Sequence, residues 1–492
     1  MKRWLKQAAL TGLALFVLSG CSLGGGNSGD ENKEQTLRVM YYDESSFYQQ
    51  YGMLFSALHP NITIEVVSSQ GVQPKEGEDY QELMAKFIED EKPDILMLSI
   101  EEYEKKSLAG ELYELDGFIA KDKYDTEGLV PGILDYLKEK GGGKLYGLTP
   151  GYYGQAIYYN KDLFDKNGIE HPTDRMSYEQ ILQLAKRFPT DGSDKERVYG
   201  LRMGYNDSLF SLGNTLAASQ NLSFINADKL EMTIDTDGWK KVFQTAVDAM
   251  ASNSLYIPNY DNMGGSQSYE DYLLSDPFLS GRLAMTMDGP NLMQQMKQAK
   301  DYLKDENAEK LVKNWDLVTM PVDPQNPDYS TGIQMNNLFS INGQSANKDA
   351  AWAFIKYITG DDFARVTSKS FNYGTFPIRT KYMIDEDGRN FAAFYALKPS
   401  PFNMYKGFDK VPENFYMEFN SAAEQELAQV KEGKATVDEA LAKLQTIGQG
   451  ILNNAKSKEE SGATTGAAES GGVQVEQGAT SSDSVSVQVT SP

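Results

Sequence analysis

The sequence contains few of the residues on which catalytic and metal sites most often depend. Its 492 residues include one cysteine, Cys21, and two histidines, His59 and His171, each of which precedes a proline in a predicted turn. A chain with one cysteine cannot form an internal disulfide. It also lacks the side chains for a histidine-based catalytic triad or a Cys/His metal site. We therefore expect no catalytic residue, no metal and no cofactor.

Positive charge is scarce as well. The chain has 47 Lys and Arg residues against 70 Asp and Glu residues, which gives a net charge of −23. Nucleic acids and anionic lipid surfaces should repel such a chain, because binding them requires positive charge that neutralises phosphates. We expect no nucleic-acid partner. The length allows two or three domains, each with a sizeable core.

Long hydrophobic runs are absent apart from one near the start. Residues 8–18 are mostly apolar and follow a basic start of Lys2, Arg3 and Lys6. The run is shorter than the roughly 20 residues of a transmembrane helix. A basic start before a short apolar run is typical of a secretory signal peptide, here residues 1–20.

The sequence Leu18-Ser19-Gly20-Cys21 at the end of this signal resembles the lipobox of bacterial lipoproteins. In that family the cysteine is lipidated and the signal is removed before it. The resemblance implies that Cys21 carries acyl chains such as palmitate, and several chains hold a protein firmly on a membrane. It predicts a protein anchored on the extracellular face of the cell membrane of a Gram-positive bacterium. The alternative is a chance cysteine or a buried structural one.

Both ends of the mature chain have compositions that cannot form a packed core. Residues 21–36 are polar and rich in glycine, which is typical of a flexible spacer. Residues 456–492 consist mainly of small and polar residues and contain no aromatic side chain. We predict a disordered tail there.

The region after the spacer alternates between strand and helix patterns. Strands are predicted at 36–42, 62–69 and 94–98, with helices at 45–58 and 80–90 between them. This order indicates an α/β protein with a largely parallel sheet. Ligands of such sheets bind beyond the carboxyl ends of the strands. The loops after Tyr42 and Leu98 are therefore the first candidates for function.

Two later helices have recognisable starts. Asn347 is placed to cap a helix that contains AAWAFIKYI, and Thr436 with Glu439 has the spacing of a capping box for a helix over 436–452.

Several motifs together resemble the family 1 extracellular solute-binding proteins, the receptors of ABC importers that include maltodextrin-binding proteins. The likeness runs from about Leu37 to Leu452, and its motifs occur in the family's order. They are Pro93-Asp94-Ile95, LYGLTPGYYGQAIYYNKDLFDKNGI (145–169), YGL at Tyr199, FLSGRLAMTMDGP (278–290), NWDLVTMP (314–321), AAWAFIKYI, GTFPIR (374–379) and TVDEAL.

The resemblance implies a two-lobed periplasmic-binding-protein-like α/β fold with hinge strands that cross between the lobes. Crossings are expected near 152–158, 334–339 and 373–377. Lobe 1 would comprise 37–152 and 337–374, and lobe 2 would comprise 153–336 and 375–455.

The resemblance also implies which residues line the ligand cleft, taken position by position. They are Asp43, Glu44, Ser99, Glu101, Tyr153, Tyr205, Asn206, Asp288, Asn291 and Tyr373. Charged and amide side chains can hold sugar hydroxyls, and aromatic faces stack on sugar rings. Each residue also has an ordinary explanation, since charged side chains are mostly exposed and Asp288 can form the turn before Gly289-Pro290.

The chain departs from maltodextrin-binding relatives at two stacking positions, where it has Leu98 and Asn291 instead of tryptophan. Stacking must therefore come from tyrosine or phenylalanine. The resemblance implies a monomeric receptor that captures a small polar solute, a sugar or oligosaccharide, and delivers it to an ABC importer. A peptide or cationic solute, a role as ligand receptor for a sensor kinase, and a lipid-anchored glycoside hydrolase remain alternatives. The hydrolase alternative requires two carboxyl groups at a defined separation, and that separation is a property of the fold.

The lipobox predicts the effect of removing its sulfur. Cys21→Ala should release the protein into the medium or leave it with an uncleaved signal, because the acyl chains can no longer be attached. Cell fractionation and intact mass measure both outcomes. A variant that stays in the membrane fraction with the processed mass of the wild type would contradict the lipoprotein assignment.

Overall fold

The computed structural model describes residues 34–75, 78–193, 196–204, 208–258, 268–335, 337–369, 374–383, 387–412 and 414–461. Cys21 and residues 462–492 lie outside these ranges. None of the helices within the described ranges has the length and apolarity needed to cross a bilayer. The described residues form two compact units, one before 208 together with 249–402, the other over 208–248 and from 403 onwards.

The strands of the described residues are short. In chain order they are β1 (Gln35–Tyr41), β2 (Ile62–Ser68), β3 (Ile95–Leu98), β4 (Gly147–Leu148), β5 (Gly151–Gly154), β6 (Ala156–Asn160), β7 (Tyr199–Arg202), β8 (Ile225–Asn226), β9 (Glu231–Met232), β10 (Leu283–Asp288), β11 (Trp315–Thr319), β12 (Tyr329–Ser330), β13 (Ile333–Gln334), β14 (Leu338–Ile341), β15 (Phe376–Pro377) and β16 (Lys398–Pro399).

Helices connect most of these strands. They are α1 (Glu44–Phe47), α2 (Met53–Leu58), α3 (Tyr80–Glu91), α4 (Ile100–Leu108), α5 (Asp116–Asp122), α6 (Ile133–Lys140), α7 (Lys161–Asn167), α8 (Tyr178–Ala185), α9 (Leu209–Ser219), α10 (Asp237–Ala251), α11 (Tyr269–Ser275), α12 (Pro290–Tyr302), α13 (Asp305–Glu309), α14 (Lys348–Ile358), α15 (Asp361–Thr367), α16 (Phe415–Lys431) and α17 (Val437–Ser461). A π-helical turn, Tyr48–Gly52, joins α1 to α2, and 3₁₀ turns occur at Thr380–Tyr382, Phe391–Phe394 and Phe408–Lys410.

The first sheet has five strands in the order β2-β1-β3-β14-β4. Strands β1, β2 and β3 are parallel, which confirms the predicted β-α-β-α-β order. Strand β14 is antiparallel to both of its neighbours. Aromatic rings pack against one another at this sheet. Those of Phe47, Phe55 and Phe339 all contact the buried ring of Phe354.

The second sheet has four strands in the order β11-β6-β10-β7. Strand β10 is parallel to β7 and antiparallel to β6, and β11 is antiparallel to β6. The buried ring of Tyr158 in β6 contacts Phe278 and Trp315, so this sheet has aromatic packing of its own.

A three-stranded sheet of order β13-β5-β15 connects the two larger sheets. The chain runs from β4 of the first sheet through β5 into β6 of the second, and it returns from β13 into β14 of the first. Connecting strands thus occur at the three predicted crossings. The lobe boundaries proposed from the sequence stay predictions.

The second compact unit is mainly helical. It contains α9, α16 and α17. Phe419 of α16 contacts Phe210 of α9 and stacks on Phe224, which lies just before β8. Gln445 of α17 accepts a hydrogen bond from the Ile234 N–H and donates one to the Met232 carbonyl, so the helix binds the backbone after β9.

Helix ends agree with the sequence in one case and differ in another. The capping box of Thr436 and Glu439 is confirmed by reciprocal bonds of 3.2 and 2.9 Å. The predicted side-chain cap at Asn347 is wrong, because its amide donates instead to the Thr36 carbonyl and to Asp94. Helix α17 continues to Ser461, into the start of the predicted tail.

The carboxylate of Asp94 holds several segments together at the amino end of β3. It is buried and accepts hydrogen bonds from the Arg38 N–H at 3.0 Å, the Ser345 hydroxyl at 2.6 Å and the Asn347 amide at 3.2 Å. These donors come from β1 and from the turn that leads to α14. The Pro93-Asp94-Ile95 motif therefore has a structural role in joining these segments.

Asp94→Ala should lower the free energy of unfolding by about 2–4 kcal/mol, because buried donors are left without an acceptor. Urea unfolding measures the loss. Glu65→Ala is the matched control, since Glu65 is half-exposed and forms its ion pair with the neighbouring side chain of Arg38. That control should change stability by less than about 1 kcal/mol. Equal effects of the two substitutions would contradict the assigned role.

Candidate functional site

Two of the predicted site segments lie side by side at the carboxyl edge of the first sheet. Val39 of β1 pairs with Ile95 of β3 in a parallel register. Asp43 and Ser99 each follow four residues later, so they leave neighbouring strands side by side. Strand β4 runs parallel to β3, because both are antiparallel to β14, and it leads into β5. The edge with Asp43 and Ser99 is therefore the one from which the chain enters the connecting strands.

Both residues cap a helix. The Asp43 carboxylate accepts a hydrogen bond from the Ser46 N–H at 2.9 Å, and this bond lowers the pKa of Asp43. Ser99 forms a capping box with Glu102, in which its hydroxyl accepts from the Glu102 N–H and its own N–H donates to the Glu102 carboxylate. The side chains are thus fixed in position, and each oxygen that caps a helix has further lone pairs for a ligand.

Glu44 and Glu101 lie in the first turns of α1 and α4, and both are exposed. Burial, together with the nearby charges of Glu101 and Glu104, raises the pKa of Tyr136 on α6 to about 12. Glu101 therefore lies close enough to α6 for its charge to act on that ring. The two exposed carboxylates add negative charge to this edge of the first sheet.

The carboxyl edge of the second sheet adjoins the same connecting strands. Asp288, the last residue of β10, pairs with Ala156 at the start of β6, directly after β5. Thr286 pairs with Arg202, the last residue of β7. The ends of β7 and β10 therefore lie at the end of the sheet that the chain enters from β5.

Arg202 joins three acceptors at this edge. Its guanidinium lies 2.6 Å from an oxygen of Asp276, 3.3 Å from an oxygen of Asp288 and 2.9 Å from the Thr286 hydroxyl. The Arg202 side chain is 12% exposed and that of Asp288 is 33% exposed. The pair is thus held within the protein while one carboxylate stays accessible to a solute.

The environment of Asp288 favours its protonated form more than water does. Burial is the largest effect and raises the pKa of Asp288, and the charge of Asp276 acts in the same direction. The Arg202 guanidinium and the Gly289 N–H, which donates at 2.8 Å, lower it without cancelling the rise. The Gly289 bond also means that Asp288 shapes the turn into α12.

Tyr153 of β5 lies directly against this turn. A Cβ atom at Gly289 would come within 2.7 Å of the Tyr153 hydroxyl, so only glycine allows the ring to approach. The buried Tyr158 donates a hydrogen bond of 2.7 Å to the Gly289 carbonyl. The structure thus brings the predicted hinge residue Tyr153 together with the predicted site residue Asp288.

Asn291 lies in the first turn of α12 and is exposed. Its amide is close to Gly374, where the backbone has φ of +67° and a Cβ atom would lie 2.9 Å from the Asn291 oxygen. Tyr205, Asn206 and Tyr373 lie outside the described residues.

The sequence analysis missed Arg202, Asp276 and Thr286. Arg202 is the last residue of β7, whose YGL start was recognised in the sequence. Its position at the carboxyl end of a strand is the feature that could have identified it as a site residue. Its partners lie 74 and 86 residues further along the chain. Thr286 and Asp288 approach Arg202 through the register of β7 with β10, and Asp276 does so from the end of α11, neither of which sequence spacing alone reveals.

Replacing Arg202 by Met should make the stability of the protein more dependent on pH. A carboxyl whose folded-state pKa is raised adds stability that is fully present below its unfolded-state pKa, about 3.9, and is lost as the pH rises through the folded-state value. Losing Arg202 raises the folded-state pKa of Asp288 further. At pH 7 we expect Arg202→Met to lower the free energy of unfolding by about 1–2 kcal/mol, a modest loss because the pair is partly exposed. At pH 4 the loss should be smaller, because a larger fraction of Asp288 is protonated.

Urea unfolding at both pH values measures this difference. The matched comparison is Arg202→Met in an Asp288→Asn background, where the part of the pH dependence that belongs to Asp288 should vanish. A loss that is the same at pH 4 and pH 7 in the wild-type background would contradict the coupling.

Solved structures and a relative in sequence are similar to this chain. A sugar transporter from Rhizobium etli, solved in an open conformation, superposes with a TM-score of 0.56 at 21% identity over 84% of this chain and 99% of that one. The sugar-binding protein MalE from Xanthomonas citri gives 0.56 at 17% identity over 86% and 99%. A candidate binding protein from Brucella abortus is 23% identical over 418 residues, which are 81% of this chain and 88% of that relative.

The solved structures establish the two-lobed solute-binding-protein fold. Residues 34–364 match the family described as bacterial extracellular solute-binding protein. The match covers well over half of the chain and includes both carboxyl edges and the connecting strands up to β14. The chain therefore belongs to the bacterial extracellular solute-binding protein family.

Proposed function

We propose that the protein captures a small polar solute, a sugar or oligosaccharide, between its two lobes and delivers it to an ABC importer. One observation carries the proposal. The carboxyl edges of both large sheets adjoin the same connecting strands, with Asp43 and Ser99 at one edge and Arg202 and Asp288 at the other. Open α/β sheets bind ligands at such edges.

The chemistry of these edges suits hydroxyl groups. The Arg202–Asp288 pair offers donors and acceptors side by side, and a sugar hydroxyl can both donate and accept. Tyr153 supplies an aromatic surface next to the pair. Maltodextrin-binding relatives use tryptophan for stacking instead, at the positions that Leu98 and Asn291 occupy here. The Rhizobium and Xanthomonas proteins are a sugar transporter and a sugar-binding protein, and a Listeria monocytogenes substrate-binding protein with a TM-score of 0.50 was solved with cycloalternan.

A cationic solute is the second candidate. Two carboxylates, Asp276 and Asp288, face one guanidinium at the second edge, and the exposed Glu44 and Glu101 lie at the first. This excess of negative charge would attract a cation and disfavour an anion. The screen described below therefore includes amines and cationic peptides beside sugars.

A tether at Cys21 would keep the receptor beside its importer. The lipobox, the polar spacer of 21–36 and the family's extracellular location support this arrangement. A lipid anchor on the outer face lets a monomeric receptor capture solute and meet the permease without leaving the surface.

Binding should favour a closed arrangement of the lobes. A solute that contacts both edges binds the closed state more tightly than the open one, and it shifts the population by that difference in affinity. The strands β5, β13 and β15 are the connections about which the lobes would move.

The test starts with a thermal-shift screen of sugars, polyols, amines and short peptides, because a ligand of the folded state raises its melting temperature. Small-angle scattering of the wild type with the compound that gives the largest shift should show contraction. Glu101→Ala and Asp288→Ala should each weaken binding by roughly tenfold to a hundredfold, since each lost hydrogen bond costs about 1–3 kcal/mol.

Glu89→Ala is the matched control, because Glu89 is an exposed carboxylate near the end of α3, the helix that leads into the amino end of β3. It should bind like the wild type. Absence of contraction, or wild-type affinity in both Glu101→Ala and Asp288→Ala, would refute the cleft assignment. A large increase in melting temperature with an amine, and none with any sugar, would favour the cationic solute instead.

A further inference from the structure

Three tyrosines form an exposed aromatic surface away from the candidate site. Tyr269 and Tyr272 lie on α11, and Tyr302 ends α12. Their exposed fractions are 45%, 53% and 55%. The rings of Tyr269 and Tyr272 are nearly parallel, with centroids 6.1 Å apart, and the ring of Tyr302 stands at 85° to that of Tyr269 at 4.9 Å. We call these three residues the tyrosine platform.

The helices beneath the platform are fixed by a small core of their own. Leu273, Leu279, Ala299 and Leu303 are buried together under the two helices. The Glu270 carboxylate accepts a hydrogen bond of 2.7 Å from the Asn307 amide, which attaches α11 to α13. The aliphatic side chains thus face inward while the tyrosine rings stay outside, on a support that holds them in place.

The platform is separate from the carboxyl edge of the second sheet. Helix α12 begins next to Asp288 and ends at Tyr302, and a helix rises 1.5 Å per residue. Its 13 residues therefore place Tyr302 about 18 Å along the axis from the start of the helix. A solute held by Asp288 and Arg202 would not reach the three rings unless it were a long chain.

We propose that the tyrosine platform binds a neutral glycan chain by stacking, as a second carbohydrate site outside the cleft. About half of each ring is exposed, and these exposed surfaces can pack on the apolar faces of neighbouring sugar rings. The phenolic hydroxyls can bond with sugar hydroxyls at the rim. The inference goes beyond the proposed cleft function, because it requires neither the cleft nor closure.

Charge narrows the class of occupant. Glu270 and Asp271 lie between the two platform tyrosines of α11, and this helix carries no basic residue. Lys300 and Lys304 lie within two residues of Tyr302, so charges of both signs surround the platform and select neither a polyanion nor a polycation. Aromatic rings with polar tips in such a setting suit an uncharged polymer of sugars.

Affinity gel electrophoresis of the full chain tests the proposal. Native gels contain soluble starch, mixed-linkage β-glucan, arabinoxylan or glycol chitin, and migration is compared with a gel without glycan. We expect at least one of these glycans to retard the wild type, and we expect Tyr272→Ala/Tyr302→Ala to migrate as it does without glycan. Tyr272→Phe/Tyr302→Phe keeps the rings and should retain most of the retardation.

Two controls separate the platform from other sites. Tyr80→Ala removes an equally exposed tyrosine, 45%, from α3 and should leave retardation unchanged. The loss of retardation on Tyr272→Ala/Tyr302→Ala should be the same in an Asp288→Ala background, so failure of the cleft assignment and failure of this inference are distinguishable. Circular dichroism of each variant verifies folding.

Three results would overturn the inference. The first is no retardation of the wild type by any of the four glycans. The second is equal retardation of the wild type and Tyr272→Ala/Tyr302→Ala. The third is a change in the sedimentation coefficient of that variant in the absence of glycan, which would make the surface a contact between copies of the chain.

Discussion

The continuous passage of one chain segment through three sheets is the constraint on which the rest of the structure depends. Residues 147–160 contribute β4 to the first sheet, β5 to the connecting sheet and β6 to the second. Because β4 leaves the first sheet at its carboxyl edge and β6 enters the second next to Asp288, both carboxyl edges must lie at the same connection. Close packing enforces this path, since a Cβ atom at Gly151 would lie 2.5 Å from the Phe376 carbonyl.

The side chains at the two edges are fixed by different means, and the difference bears on ligand binding. At the first edge Asp43 and Ser99 are held by backbone N–H groups of the helices they cap. At the second edge Asp288 is held by the Gly289 N–H and also by a side chain, Arg202, which Asp276 positions in turn. The cap at Asp43 favours the charged carboxylate, because the Ser46 N–H donates to it and lowers the pKa of Asp43. Burial raises the pKa of Asp288 in spite of its ion pair with Arg202, so the environments of the two edges shift their aspartates in opposite directions.

Much of the fold could be predicted from the sequence, because local patterns determine it. Strands β1, β2 and β3 were predicted to within a residue or two, since alternation and turn residues act over a few positions. The site was predictable only in part. Asp288 could be predicted as the residue before a Gly-Pro turn. Its contact with Arg202 could not, because that contact depends on strand register across 86 residues. The cap at Asn347 failed for a similar reason, because the buried Asp94 competes for its amide and no local rule includes that partner.

The third connecting strand is attached to the two lobes in unequal ways. Just after β15, the buried Arg379 donates to the carbonyl and carboxylate of Asp125 and to the Thr359 carbonyl, all on the side of the first sheet. Further along, Asn390 bonds to Asp316 and Leu317 of β11 in the second sheet. Breaking the Arg379 contacts would leave a buried charge without partners, so this attachment resists change. The end of β15 is thus fixed on the side of the first sheet by Arg379, while Asn390 fixes the later part of the chain to the second sheet.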